Sequence, residues 1–194
     1  MIKHFFICCF IILISLSMLL SCTSRSAENA KRLEHKRKSI TIASKKPPGI
    51  QKNIFYQVIK VVDGDTFWID NLQPGGLKIR FIGIDAPESR NAFYKKKQFY
   101  GKESKEFLTN LLKDQKVRLE FDVDSLDSFQ RTLAYVYLEN DEMVNELIVR
   151  TGNGILMTVT PNVKYEELFI NAQKYARENK LGLWRFEPIE NNEY

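Results

Sequence analysis

Cysteine and histidine are nearly missing from this chain. Its three cysteines are Cys8, Cys9 and Cys22, and its two histidines are His4 and His35. Beyond His35 the sequence therefore offers no disulfide, thiolate metal site or cysteine nucleophile. A His-based zinc site and a Ser-His-Asp triad are excluded there as well. A metal bound in that stretch needs oxygen ligands, which suit Ca²⁺, Mg²⁺ or Mn²⁺. Internal repeats are absent too. Long apolar runs are limited to one, Phe5 to Leu20, broken only by Ser15 and Ser17.

Lys3 before that run and Leu19-Leu20-Ser21-Cys22 after it make residues 1–21 read as an export signal. A soluble secretory signal would end in a small-residue cleavage site, whereas Leu-x-Ser-Cys resembles the lipobox of bacterial lipoproteins. The resemblance implies cleavage before Cys22, diacylglyceryl on its sulfur and acyl on its amine. The mature protein would then have no thiol and would sit on a membrane outside the cytoplasm. Several acyl chains, at ~0.8 kcal/mol per buried CH₂, hold a protein firmly on a membrane. The alternative is an uncleaved membrane anchor, although the run is shorter than the ~20 apolar residues a spanning helix needs.

The net charge of +5 is unevenly distributed. Residues 22–53 carry nine Lys/Arg against Glu28 and Glu34, a balance of +7, while residues 54–194 carry 19 basic and 22 acidic side chains, a balance of −3. The segment 22–53 is polar, poor in aromatics and ends near Lys-Lys-Pro-Pro-Gly (45–49), which is tether chemistry. It suits a solvated, disordered spacer beside an anionic membrane. An arm that gathers nucleic acid by its phosphates is the second reading. Residues 54–186 are enough for one domain with a real core, and 187–194 make a short tail.

Within that domain the apolar period is first two, then helical. Phe55–Val62, Thr66–Ile69 and Leu77–Ile84 read as strands, separated by Asp63-Gly64-Asp65 and by Asn71 with Pro74-Gly75-Gly76. A Lys-rich loop, Arg90 to Lys97, precedes a helical stripe at Phe107, Leu108, Leu111 and Leu112. Val117–Val123 and Leu133–Leu138 read as two further strands. Met143, Val144, Leu147 and Ile148 mark a short helix stopped by Gly152, and Tyr165 to Ala176 a longer one ending near Gly182. The expected fold is α+β, mainly β: five strands in a small Greek-key barrel of the OB type with three helices. Periodicity alone does not separate that barrel from another α+β sheet.

The chemistry-bearing residues are Asp65, Asp85, Glu88 and Arg131, at the ends or turns of these strands, and Arg80, inside the apolar third one. Carboxylates can hold a hard divalent cation and handle a water, and guanidiniums can neutralise a phosphate. Together they are the inventory for metal-dependent cleavage of a phosphodiester. Arg80 could instead form a structural ion pair. Asp63 reads as a turn former that closes on backbone N–H groups. Tyr135 and Tyr137 read as packing or groove-rim residues, and Trp184 as a core or hinge aromatic.

Five phrases stand in order: Asp-Gly-Asp-Thr (63–66), Arg80 leading Ile-Asp-Ala-Pro-Glu (84–88), Tyr-Gly-Lys-Glu (100–103), Arg-Thr-Leu-Ala-Tyr (131–135) and Met-Val-Asn-Glu (143–146). By these the chain resembles the staphylococcal nuclease family over about residues 54–186. The resemblance implies an OB-fold barrel with three helices and a Ca²⁺-dependent phosphodiesterase acting on DNA and RNA. Such enzymes cut the 5′ P–O bond and leave 3′-phosphates. Carried over by motif, Asp65 and Asp85 look like the calcium carboxylates, and Ala86 falls where a backbone carbonyl meets the metal. Glu88 looks like the residue that orients or deprotonates the attacking water, and Arg80 and Arg131 like the phosphate-binding pair. Asn145 and Glu146 look like polar groups that hold the fold. A monomer is expected, with no protein partner.

The chain also departs from the family. Before Arg131 it reads Asp-Ser-Phe-Gln, where the family commonly has Asp-Lys-Tyr-Gly: Ser128 loses a lysine, Phe129 a hydroxyl and Gln130 a flexible glycine. Thr158 and Thr160 stand near the place of two nucleotide-packing tyrosines. They and Lys95 and Lys96 are the candidate substrate contacts outside the core site. A binding module on the same barrel, catalytically weak or inactive, is the alternative to the enzyme, and an adhesive or structural envelope lipoprotein is a third reading.

Overall fold

The computed structural model describes residues 49–186, except 52 and 92–95, together with Glu28 and Lys31. The signal segment 1–21, Cys22, nearly all of the basic tether and the tail 187–194 lie outside the described residues. The chain divides into two units, residues 1–43 and 44–194, and the second holds the barrel and its helices.

Seven strands and three helices succeed one another among the described residues of that unit. They are β1 (Phe55–Asp63), β2 (Thr66–Ile69), β3 (Leu77–Phe81), β4 (Ile84–Asp85), α1 (Gly101–Leu111), β5 (Lys116–Glu120), β6 (Thr132–Tyr137), α2 (Val144–Arg150), β7 (Ile155–Leu156) and α3 (Glu166–Glu178), followed by a 3₁₀ turn at Gly182–Arg185. Five strands close into a barrel in the order β1-β2-β3-β6-β5. All neighbours are antiparallel except β3 and β6, which run parallel with Arg80 opposite Leu133. Closure leaves the barrel no long unpaired edge. The expected five-stranded OB-type barrel with three helices is present.

The barrel is filled by the inward positions of its strands. Phe67, Ile69, Ile79, Val117, Ala134 and Val136 are fully buried, and Leu108 of α1 and Val144 and Ile148 of α2 pack into the same core. Alternation explains the split. In β3, Ile79 and Phe81 point inward while Lys78 stays partly exposed. Ile50 belongs to this core as well. The Tyr56 hydroxyl accepts a hydrogen bond from the Gln51 amide. The domain thus begins a few residues before the composition change at residue 53, because one apolar side chain in a polar stretch found a place to be buried.

The expected third strand, Leu77–Ile84, is two strands. The chain turns at Ile82-Gly83 and resumes as β4, which pairs with β7 outside the barrel. Gly83 has φ +79°, and a Cβ there would lie 2.5 Å from a Phe169 ring carbon. Only glycine fits both the left-handed backbone and the close ring. The expected strand Val117–Val123 ends at Glu120, where the chain leaves the barrel and the Asp122 carboxylate accepts a hydrogen bond from the Tyr135 hydroxyl.

Asn145, fully buried, ties α2 to the barrel. Its carboxamide oxygen accepts from Val136 N, and its Nδ2 donates to the carbonyls of Ile82 and Ala134. It therefore holds the end of β3 and the middle of β6 together. The fold-holding role expected for Asn145 is met.

Candidate active site

The Asp63-Gly64-Asp65 turn joins β1 to β2, and β3 pairs with β2 so that Thr66 faces Arg80. This register sets Asp65 beside Arg80. The break at Gly83 then swings Asp85 back over the same guanidinium. Arg80 Nη2 lies 3.1 Å from Asp65 Oδ2 and 2.7 Å from Asp85 Oδ1. Its Nη1 donates to the Ile84 carbonyl at 2.9 Å and to the Phe81 carbonyl at 3.3 Å. Residues 20 positions apart in sequence thus converge on one nitrogen.

Burial distinguishes the two acids. The Asp65 side chain is 9 % exposed and that of Asp85 34 %. Asp65 also accepts from the Thr66 hydroxyl (2.7 Å) and the Ala86 amide (3.3 Å). A nearly dry carboxylate needs such donors, and this one has three. Asp85 is the wetter partner, facing outward at the mouth of the group. Because both oxygens approach one nitrogen, they are no farther apart than those two short distances combined.

Glu88 is held by its backbone. Its amide donates to the Gln98 side-chain oxygen and its carbonyl accepts from the Gln98 amide, at 3.0 and 2.9 Å. Gly101 presses on the same peptide: a Cβ at Gly101 would lie 2.1 Å from the Glu88 carbonyl oxygen. Asp63 is the turn former expected, accepting from the Gly64 amide, and its second bond, from the Ser89 amide, ties the Glu88 turn to the Asp65 turn.

Arg131 sits immediately before β6. Its Nε donates to Asp127 Oδ2 at 2.6 Å, its amide to Asp127 Oδ1 at 2.8 Å, and its guanidinium lies 5.4 Å from the Phe129 ring centre. Its polar contacts among the described residues thus go to its own loop and not to Asp65 or Asp85. In that loop Gln130 has φ +60°, the left-handed conformation that glycine adopts at no cost.

The peripheral expectations are placed unevenly. Lys95 lies outside the described residues, and Lys96 is exposed. Thr158 is half-buried and Thr160 exposed, beyond β7, with a cis peptide bond between Thr160 and Pro161. The Met157 amide bonds the Gly83 carbonyl, which runs this segment alongside β4. Sequence reasoning missed Gln98, Asp127 and Ser104, the last donating from its hydroxyl to the Asn153 carbonyl. No motif in the sequence signals Gln98. Asp127 could have been found from its place four residues before Arg131.

A second polar group joins β5, β6 and the start of α3. The Glu120 carboxylate takes hydrogen bonds from Tyr137, Tyr165 and Lys164. Burial alone would raise its pKa, but those three donors outweigh it and hold the carboxyl below the ordinary range. Burial chiefly, and Asp122 next, pushes the Tyr135 hydroxyl up. Tyr135, buried, and Tyr137, partly buried, pack in one apolar cluster, which is the packing role of the two expected for them.

Among the described residues no group of three or more His, Cys, Asp or Glu side chains could hold a metal. The fit for a cation rests on donor chemistry: two carboxylates around one focus, one of them open to solvent, with only oxygen atoms on offer. That set suits a hard cation such as Ca²⁺. It does not suit zinc or copper.

A small closed barrel with two acids gathered on a buried arginine at its rim defines a class, the OB-type barrel with a phosphate- and cation-compatible site. The comparisons make the class particular. The family described as Staphylococcal nuclease homologue matches residues 78–186. A thermonuclease of Staphylococcus hyicus is 41 % identical over 129 residues, 66 % of this chain and 75 % of that protein. A thermonuclease of Staphylococcus intermedius is 40 % identical over the same length. An uncharacterized endonuclease of Haemophilus influenzae is 31 % identical over 139 residues, 71 % of each chain. The chain belongs to the staphylococcal nuclease family.

Proposed function

We propose that this protein is a Ca²⁺-dependent nuclease that hydrolyses phosphodiesters of DNA and RNA at the 5′ P–O bond, leaving 3′-phosphates, while anchored by lipid on Cys22 outside the cytoplasm. The observation that carries the catalytic part is the single Arg80 nitrogen held between Asp65 and Asp85. A binding module has little use for paired acids where a polyanion must approach. The names of its thermonuclease and endonuclease relatives support the same activity.

Asp65, Asp85 and the backbone carbonyl of Ala86 would hold the cation. When bound, Ca²⁺ supplies Lewis acidity and a template for the phosphate. Arg80 is set by four contacts before substrate arrives, so little reorganisation opposes its donation to charge developing on a phosphate oxygen. Glu88 orients a water and takes its proton on a carboxylate oxygen. Arg131 turns from Asp127 to meet the phosphate, its loop carrying Phe129, 79 % exposed, at the tip. Lys95, Lys96, Thr158 and Thr160 would meet the substrate farther from the scissile bond.

Incubation of the purified full chain with single-stranded DNA, in Ca²⁺ or in EGTA, tests the activity, with Arg80→Ala as the control against a contaminating enzyme. Cutting in Ca²⁺ alone that disappears in the variant supports the reading. Retarded but uncut DNA favours the binding module, and neither result favours the structural lipoprotein. End-group analysis of the products checks for 3′-phosphates. Radiolabelled fatty acid that labels the native chain but not Cys22→Ser checks the anchor.

A further inference from the structure

The outer face of α1 and the turn after Glu88 form an open groove of about 360 Å³, lined by Ser89, Arg90, Lys102, Lys105, Glu106, Thr109 and Asn110. Three of the seven side chains are cations and one is an acid, on a domain, residues 54–186, that carries 19 basic and 19 acidic side chains. Positive charge is concentrated here on a domain that is neutral overall. Neutralisation within the groove is weak. Lys102 and Glu106 approach at 3.5 Å, but both are well over half exposed, and such pairs bind loosely. Among the described residues neither Arg90 nor Lys105 makes an ion pair.

The groove begins where the candidate active site ends. Ser89, in its lining, donates its amide to Asp63, in the turn that carries Asp65. Gly101, which starts α1, abuts the Glu88 carbonyl. Lys102, Lys105, Glu106 and Thr109 succeed one another at helical spacing and so share one face of α1. A chain leaving Glu88 past Ser89 would meet cations spaced along one line.

We infer that this groove is a second phosphate-binding track, which holds the backbone of a single-stranded nucleic acid beyond the scissile bond. Arg90 and Lys105 are its principal contacts. The inference rests on the nuclease reading for its substrate, but its observable is binding. Among the described residues the track offers charge and no ring for stacking in its lining. It gives long strands an advantage over short ones by adding contacts remote from the reacting centre.

The test compares the native full chain, the double variant Arg90→Ala/Lys105→Ala and the single variant Glu106→Lys. Anisotropy of a labelled long single-stranded DNA is measured in EGTA at increasing salt. A single strand contributes ~0.7 to the slope of log K against log salt for each phosphate contact, so the double variant should lose ~1.4 of slope. Its affinity at low salt should fall on the order of tenfold, and Glu106→Lys should steepen the slope by a comparable amount. The basic tether is present in all three proteins and cancels. With Ca²⁺, the preference of the native chain for a long strand over a dinucleotide should shrink in the double variant. Equal slopes in native and double variant overturn the track, as does a native chain that fails to bind. Slopes that differ while no protein cuts DNA sustain the track and overturn the nuclease reading. Melting curves confirm that these exposed substitutions leave the fold intact.

Discussion

Replacing Arg80 by methionine separates what the buried arginine does for stability from what it does for chemistry. The methionine keeps an apolar stem of similar length in the strand but removes every donor. Asp65 then retains only the Thr66 hydroxyl and the Ala86 amide, in a site where its side chain is 9 % exposed. The Ile84 carbonyl loses its guanidinium donor as well. Removing one partner of a buried ion pair costs ~3–5 kcal/mol, because the remaining charge is desolvated and unpaired. With an m-value of ~2 kcal/mol/M for a domain of this size, the urea midpoint should fall by ~2 M. The two acids should respond differently to rescue. Adding Asp65→Asn deletes the stranded buried charge and should restore ~2 kcal/mol, since an unpaired buried charge is the main cost. Adding Asp85→Asn should restore much less, because that side chain, 34 % exposed, already has water. Urea unfolding of the four proteins in EGTA measures all of this. A loss below ~1 kcal/mol, or equal rescue by the two asparagines, would refute the argument that Asp65 is the desolvated member. Activity should not return with stability. Losing such a donor lowers turnover by ~10²–10³, and Arg80→Met/Asp65→Asn should stay at least that far down.

Single contacts elsewhere carry the remaining predictions. Gly83→Ala should destabilise by at least ~2 kcal/mol, since its Cβ would overlap the Phe169 ring and its φ is positive, and calorimetry would contradict this by finding a change within error. Gln130→Gly should stabilise by up to ~1 kcal/mol by relieving a left-handed non-glycine residue; a clear loss in chemical denaturation would show that the Gln130 side chain supports the Arg131 loop. Glu120 has a folded pKa below its unfolded value, so its stabilising contribution is complete above about pH 4.3 and is lost as pH falls through the lower folded pKa. Glu120→Gln should therefore flatten the acid limb of stability against pH while lowering stability at pH 7, and an unchanged acid limb would show that the carboxylate is not held down as described. Asn145→Ala should cost ~2–4 kcal/mol, leaving the Val136 amide and the Ile82 carbonyl buried without their partner, and a near-neutral result by urea unfolding would remove its fold-holding role.

Much of this molecule is legible in its amino-acid order. Alternating apolar residues in 55–62, 66–69 and 133–138 specify strands because a barrel wall has an inside and an outside. The helical stripes at 107–112 and 165–176 are equally direct. Turn chemistry marks Asp63-Gly64-Asp65, and the ordered phrases containing Asp65, Arg80 and Asp85 point to one site. The near absence of cysteine and histidine restricts any metal in the domain to oxygen ligands.

Period and motif do not encode how distant segments meet. The apolar run 77–84 reads as one strand, but the Phe169 ring, 86 positions beyond Gly83 along the chain, makes a break there necessary. That break carries Asp85 onto Arg80. Ile50 reads as part of a polar tether because nothing local shows that the core has room for it. Gln98 holds the Glu88 turn and Asp127 holds Arg131 through contacts that depend on loop closure. The difference in exposure between Asp65 and Asp85, which decides the rescue experiment, is likewise set by what packs around each. Local sequence determines the pleat, the helix and the turn, since those depend on near neighbours. Burial and charge pairing depend on which surfaces come together in space, and only the closed barrel decides that.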